Sequence, residues 1–189
     1  MAPTCRNEPW ARSARLYIMC ALLAVVPRAA GAADASDWLG PQRIGASWQE
    51  ISLHVALACD GARDRQACTA PSAGERFDAI PVQRIEATFQ EARLEQARVL
   101  FATTRYHALL HALQERYGPG EDRSFVAIAG MAAEFPAGVF VWRVGAVSLV
   151  LEQYAGKIDR ASLTYGTQAS MAGLLQKVRA YPRGARRDL

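Results

Sequence analysis

Residues 139–166, VFVWRVGAVSLVLEQYAGKIDRASLTYG, indicate the architecture of this chain because they contain three consecutive strand patterns. The patterns are Val139–Val144, Val147–Tyr154 and Ala161–Gly166. Gly145 separates the first two, and Gly156-Lys157-Ile158-Asp159 separates the last two. Links this short join antiparallel neighbours. The stretch therefore predicts an antiparallel meander.

A hairpin is predicted upstream of the meander. Residues 85–90 alternate apolar and polar side chains, which is the two-residue period of a half-buried strand. A second strand is expected over Leu94–Phe101, with the turn at Glu91–Arg93.

Helices are predicted on both sides of the hairpin and near the C-terminus. Ser47 and Glu50 have the spacing of a capping box, and apolar residues follow at helical spacing as far as Ala58, so a helix is expected to end at Cys59-Asp60-Gly61. Thr104–Tyr117 carries one apolar stripe and stops at Gly118-Pro119-Gly120. A last helix is expected over Gln168–Ala180.

Two segments complete the fold prediction. Residues 61–78 are polar and are predicted to be a loop. Residues 124–133 fit a short helix or a strand, and we favour the helix. The predicted fold class is α+β, a single domain with an antiparallel sheet of about five strands packed with three to four helices.

The N-terminus has the pattern of a signal peptide. Basic residues precede the apolar run Leu16–Val26, which is shorter than the roughly 20 residues that span a bilayer. A small-residue site then predicts cleavage between Ala32 and Ala33, and an uncleaved anchor is the alternative. Cys20 lacks the small preceding residue of a lipobox, which argues against lipidation.

Cleavage divides the chain into a signal peptide at residues 1–32, one domain at residues 33–182 and a basic tail at residues 183–189. The signal peptide removes mostly basic residues, so the formal net charge falls from +4 to about +1. Nucleic acid is therefore not an expected partner, because phosphate binding needs a concentrated basic excess. We interpret the tail as solvated, and a binding arm for anionic lipid or polysaccharide is the alternative.

Two cysteines, Cys59 and Cys68, remain after cleavage. Export places them in an oxidising compartment, so a disulfide between them is predicted. A reactive thiol or a metal pair is the alternative, but the spacing matches neither C-x-x-C redox chemistry nor a zinc knuckle.

Residues with catalytic or metal-binding chemistry do not form a recognisable motif. His107, His111 and Glu115 recur at intervals of four, but they lie off the apolar stripe of their helix and are predicted to face solvent. Ser47 is explained as a helix cap, and neither Ser148 nor Ser170 lies in a G-x-S-x-G turn. We predict no catalytic residue, no metal site and no cofactor.

The segment Ile44–Glu50, IGASWQE, resembles the GMS-x-x-E helix start of two groups of small exported proteins. These are the β-lactamase-inhibitory-protein-like group and the β-barrel-assembly lipoprotein E group. Both are compact modules of antiparallel sheet and helix that bind other proteins, so the resemblance implies that fold and a binding function, and no catalytic residues. Ala46 departs from the pattern, which has Met there, and the lipobox of the assembly lipoproteins is missing.

The order of elements is also similar to that of uncharacterised small secreted or periplasmic α+β proteins. The shared order is a capped helix, a cysteine pair, a hairpin, a helix ending in Tyr117-Gly118-Pro119, Trp142 and a closing meander. This resemblance concerns the fold and implies no particular activity.

We expect an exported, non-enzymatic interaction module in the periplasm or the medium, whose partner is another envelope or secreted protein. Trp142, Arg143 and Tyr154 lie on predicted strands and offer the aromatic and arginine contacts that interfaces favour. They are the candidate partner-binding residues. The alternative is a small periplasmic hydrolase or metal-binding protein. After signal removal no transmembrane segment is expected.

Overall fold

The computed structural model describes most of the chain beyond residue 39. The described residues are 40–62, 64–71, 74–129, 133–180, 184 and 186–188. All of them belong to one compact unit, Ala32–Leu189. The predicted signal peptide and its cleavage site at Ala32 and Ala33 lie outside the described residues.

Short strands make up most of the regular structure. In chain order the elements are α1 (Trp48–Ser52), β1 (Ala58–Ala62), β2 (Arg65–Pro71), β3 (Arg76–Phe77), β4 (Ile80–Pro81), β5 (Arg84–Gln90), β6 (Arg93–Ala102), α2 (Tyr106–Tyr117), β7 (Glu121–Asp122), β8 (Phe125–Ala129), β9 (Ala133–Ala137), β10 (Val139–Val144), β11 (Val147–Glu152), β12 (Arg160–Thr167), α3 (Gln168–Arg179) and β13 (Arg186–Asp188). Single 3₁₀ turns lie at Pro41–Arg43 and Thr103–Arg105.

The main sheet has eight antiparallel strands in the order β1-β2-β5-β6-β12-β11-β10-β7. The predicted hairpin is β5–β6, and the predicted meander is β10–β11–β12. Strand β12 pairs with β6 on its other side, so hairpin and meander share one sheet. A second, three-stranded sheet has the order β13-β8-β9.

The predicted α+β fold with about five strands and three to four helices is wrong, because the sheet has eight strands and the protein is mostly β-structure. Strands β1 and β2 form a hairpin in and just before the predicted loop 61–78. The side chains of β1 are largely exposed, so the apolar alternation that signals a strand is missing there. Among the helices of the described ranges, only α2 and α3 are longer than five residues. None of these helices is long and apolar enough to cross a membrane.

The helix favoured over residues 124–133 is also wrong. Residues 125–129 form β8, which pairs with β9 on one side and β13 on the other. A short continuous apolar run such as FVAIA suits a buried strand as well as a buried helix. Pairing with distant segments decides the outcome, and the local pattern carries no information about that pairing.

The predicted capping box is present at the start of α1. The Ser47 amide donates to the Glu50 carboxylate at 2.7 Å, and the Glu50 amide donates to Ser47 Oγ at 3.3 Å. The hydrogen bond from the Ser47 backbone is the main reason that the pKa of Glu50 lies below its ordinary value. The predicted length of the helix is wrong, because α1 ends at Ser52 and Ala58–Ala62 forms strand β1.

The predicted disulfide is present and closes the β1–β2 hairpin. Cys59 and Cys68 lie opposite each other in the strand register, with their Cα atoms 4.0 Å apart. Cys68 is buried and Cys59 is half-buried. The bond therefore ties the edge strand β1 to the body of the sheet.

The main sheet separates two hydrophobic cores. The helical residues in these cores are Tyr106, Leu109 and Leu113 of α2 on one side and Met171, Leu175 and Val178 of α3 on the other. Along β11, Leu149 and Leu151 belong to the core of α2, and Val150 belongs to the core of α3. Successive strand residues point to opposite faces of the main sheet. We call the face that packs against α2 the α2 face and the face that packs against α3 the α3 face.

Helix α3 begins directly at the end of β12 and lies close to the sheet. Thr167 caps the helix by accepting a hydrogen bond from the Ser170 amide at 3.1 Å. Ser170 Oγ donates to the carbonyl of Glu95 in β6 at 3.0 Å. A Cβ at Gly166 would lie 2.6 Å from Ser170 Oγ and 2.7 Å from the Glu95 carbonyl oxygen. Glycine at this position permits the close approach.

Part of the predicted basic tail belongs to the fold. Arg186–Asp188 forms β13, which runs parallel to β8. The Arg186 guanidinium lies 3.2 Å from a carboxylate oxygen of Glu134. Over these three residues the backbone of the predicted tail forms a strand.

We predict that Gly166→Ala lowers the free energy of unfolding by about 2 kcal/mol, because the added methyl group would be pressed against the Glu95 carbonyl. Gly173→Ala in α3 is the matched control. A Cβ there meets nothing within 4 Å, and alanine favours a helix over glycine by about 0.5–1 kcal/mol. Urea unfolding of both variants measures the difference. A Gly166→Ala variant as stable as the control would contradict the packing of α3 against β6.

Candidate functional site

Trp142, the first candidate partner-binding residue, is part of the α2 core. Its side chain is 4% exposed, and its indole nitrogen donates to the Gly118 carbonyl at 2.8 Å. The ring stacks on Phe140 with the centroids 6.0 Å apart, and it lies so close to Gly120 that a Cβ there would be 2.6 Å from the ring. Packing between β10 and the end of α2 therefore accounts for a tryptophan at this position.

Arg143 and Tyr154 lie away from Trp142. Arg143 is exposed on the α3 face, because it is the next residue along β10 and points the opposite way. Tyr154 is partly buried and meets Phe135 edge to face, with the ring centroids 5.0 Å apart. The three candidates are thus not brought together on one surface.

The histidines of α2 lie on its outer side. His111 Nδ1 is 3.4 Å from Glu115 Oε2, and both side chains are more than 70% exposed. His107 is also exposed and meets the ring of Tyr106 edge to face. Across the described residues, no three His, Cys, Asp or Glu side chains are grouped closely enough to hold a metal ion.

A groove of about 680 Å³ runs along one flank of α3, between the helix and residues of β10 and β11. Its lining residues are Arg143, Ser148, Gln168, Ala172, Leu175, Gln176, Arg179 and Ala180. We call this the arginine groove. Its volume falls within the range of ligand-binding sites in proteins.

The arginine groove is built by two simple periodicities. Arg143 and Ser148 lie opposite each other in the β10–β11 register, so both point to the α3 face. Gln168, Gln176 and Arg179 recur at the spacing of one side of a helix. The sheet supplies the floor of the groove, and one stripe of α3 supplies its wall.

The electrostatic character of the arginine groove is positive. Arg143 and Arg179 are both exposed, and no acidic residue is found among the described residues that line the groove. Within the part of the chain that the structure describes, neither guanidinium forms an ion pair. The groove thus presents two cations that are available to an anion from solution.

Ser148 adds an unusual polar group to the groove. Its side chain is fully buried, and its hydroxyl has no hydrogen-bond partner among the described residues. A buried hydroxyl without a partner costs about 1–3 kcal/mol, so native structures rarely retain one without a reason. Ser148 is one of the residues that line the groove, so a ligand bound there would supply the missing hydrogen-bond partner.

The chemistry of the arginine groove suits binding better than catalysis. Activating the Ser148 hydroxyl as a nucleophile would need a base beside it. No histidine, lysine or carboxylate occurs among the described lining residues. Two guanidinium groups, two amides and a hydroxyl are instead suited to holding carboxylate or phosphate oxygens.

Arg143 is the only residue of this site for which the sequence predicts a binding role. Ser148 lies in no nucleophile motif, so the sequence assigns it no function. The predicted C-terminal helix carries a polar stripe, which is a signal that one flank of the helix is not packed against the sheet. The stripe consists of Gln168, Gln176 and Arg179. The signal could not show that this flank lies beside Arg143.

Comparisons with protein-family models, curated proteins and solved structures find no match. The resemblance to the inhibitory-protein-like and assembly-lipoprotein groups stays a prediction.

Proposed function

We propose that this chain is an exported binding module that recognises an acidic segment of another envelope or secreted protein in the arginine groove. The observation that carries the proposal is the pair Arg143 and Arg179, exposed in one groove with no acidic residue among its described lining residues. Charge complementarity favours an anionic partner.

The length of the arginine groove favours an extended peptide. Gln168 and Arg179 are eleven residues apart on α3, which corresponds to about 16 Å at 1.5 Å per residue. An extended chain advances about 3.3 Å per residue, so the groove matches roughly five residues of a partner. The amides of Gln168 and Gln176 can both donate to and accept from a peptide backbone.

The disulfide supports the export part of the proposal. A bond such as Cys59–Cys68 persists in oxidising compartments and is rare in the cytosol. Arginine groups suit such a module, because their planar forks bind carboxylates in a bidentate manner.

We predict that a capped pentapeptide of alternating aspartate and glutamate binds the full chain, and that its asparagine and glutamine counterpart does not. Arg143→Gln and Arg179→Gln should each weaken binding about tenfold, because each removes a charge-assisted hydrogen bond. Rising salt should weaken binding as well, since exposed charges are screened. Fluorescence anisotropy of the labelled peptides measures all three effects.

Arg105→Gln is the matched control, because Arg105 is exposed next to α2 and does not line the arginine groove. It removes the same charge elsewhere on the surface and should leave the affinity unchanged. An equal loss of affinity in all three variants would show only a general effect of net charge. It would refute the assignment of binding to the arginine groove. Equal binding of the acidic and neutral peptides would refute the ligand class.

Ser148→Ala is predicted to separate stability from binding. Removing a buried hydroxyl that has no described partner should raise the free energy of unfolding by up to about 1 kcal/mol. The same change should weaken binding of the acidic peptide, because the ligand loses a hydrogen bond. Thermal unfolding and anisotropy on one sample measure both quantities. A destabilised variant with full affinity would contradict the role given to Ser148.

A further inference from the structure

A second cavity lies on the opposite flank of α3 and has about half the volume of the arginine groove, about 320 Å³. Its lining residues are Gln96, Arg98, Glu152, Ala155, Gly156, Thr164, Leu174 and Lys177. It shares no described lining residue with the arginine groove. We call it the mixed-charge cleft.

The mixed-charge cleft carries charges of both signs. Arg98 and Lys177 are cationic, and Glu152 is a half-buried carboxylate. Among the described residues, no ion pair within 4.0 Å joins Glu152 to either cation, and its carboxylate accepts only a long hydrogen bond from Ser162 Oγ at 3.4 Å. Arg98 forms an ion pair with Glu86, which lies outside the cleft lining, at 3.7 Å. Within the cleft, Glu152 and Lys177 thus carry opposite charges without an ion pair among the described residues.

Thr164 is the second observation that points to a ligand. Its side chain is 1% exposed, and its hydroxyl has no hydrogen-bond partner among the described residues. In the strand register it lies opposite Arg98 of β6 on one side and Val150 of β11 on the other. The unpartnered hydroxyl is therefore in the wall of the cleft, next to one of its cations.

We propose that the mixed-charge cleft binds a small zwitterion, an amino acid or dipeptide with a free ammonium group and a free carboxylate. The ammonium group pairs with Glu152, and the carboxylate pairs with Arg98 and Lys177. The hydroxyl of Thr164 and the amide of Gln96 supply hydrogen bonds. Leu174 and Ala155 contact an apolar side chain of the ligand. The volume suits a ligand at the small end of the usual range.

The test uses dialanine as the probe and calorimetry on the full chain. Two blocked forms each remove one charge: N-acetyl-dialanine lacks the ammonium group, and dialanine amide lacks the carboxylate. Dialanine should bind, and each blocked form should bind at least about tenfold more weakly. No heat of binding with dialanine at about 10 mM, a concentration well above a millimolar Kd, would overturn the proposal. Equal binding of dialanine and either blocked form would also overturn it.

Variants of the lining residues test whether dialanine binds in the mixed-charge cleft. Glu152→Gln and Lys177→Gln should each weaken dialanine binding about tenfold. Lys177 is exposed, so its variant should fold normally even if Glu152→Gln does not. Lys157→Gln is the matched control, because Lys157 is exposed on the neighbouring loop and does not line the cleft. Dialanine binding that survives in Lys177→Gln, or that is lost equally in Lys157→Gln, would overturn the assignment.

Discussion

The pairing of β12 between β6 and β11 is the interaction on which the rest of the structure depends. It joins an N-terminal hairpin to a C-terminal meander that is far from it in sequence. Six of the eight residues of β12 are buried, which requires cover on both faces of the sheet. Helix α2 covers one face and α3 covers the other. Burial on the α2 face raises the pKa of Tyr165 above its ordinary value.

The α3 face of the same strands is unusually polar for a covered surface. Ser148, Ser162 and Thr164 are the buried polar residues of the described chain, and all three point to this face. The apolar stripe of α3 is narrow, so the helix covers the middle of the sheet and leaves polar flanks on both sides. The arginine groove and the mixed-charge cleft both follow from this mismatch. Each is lined by one buried hydroxyl without a described partner, Ser148 in the groove and Thr164 in the cleft. The proposed binding functions thus arise where the packing of the fold is incomplete.

Local signals in the sequence were sufficient for the elements whose pattern is regular. The period-two alternation of β5, the capping box at Ser47 and the single apolar stripe of α2 all predicted the observed structure. The hairpin β1–β2 could not be predicted in this way, because an exposed edge strand has no buried face to produce alternation. Strands β8 and β13 depend on pairing between distant segments. The relative placement of the candidate partner-binding residues could not be predicted for a related reason. Trp142 and Arg143 are adjacent in sequence, but the two-residue period of a strand places them on opposite faces.

Amide hydrogen exchange followed by NMR tests the central claim most directly, which is that β12 and α3 form one cooperative unit over a polar sheet face. We predict that the amides of Ser162 and Thr164 in β12 exchange only through global unfolding, and that the amides of Leu175 and Val178 in α3 exchange with the same free energy. The exposed edge strand β1 should open at lower free energy, apart from the residues next to the disulfide. Protection of β12 combined with rapid, local exchange throughout α3 would contradict the account, because a helix that detaches from the sheet could form neither the arginine groove nor the mixed-charge cleft.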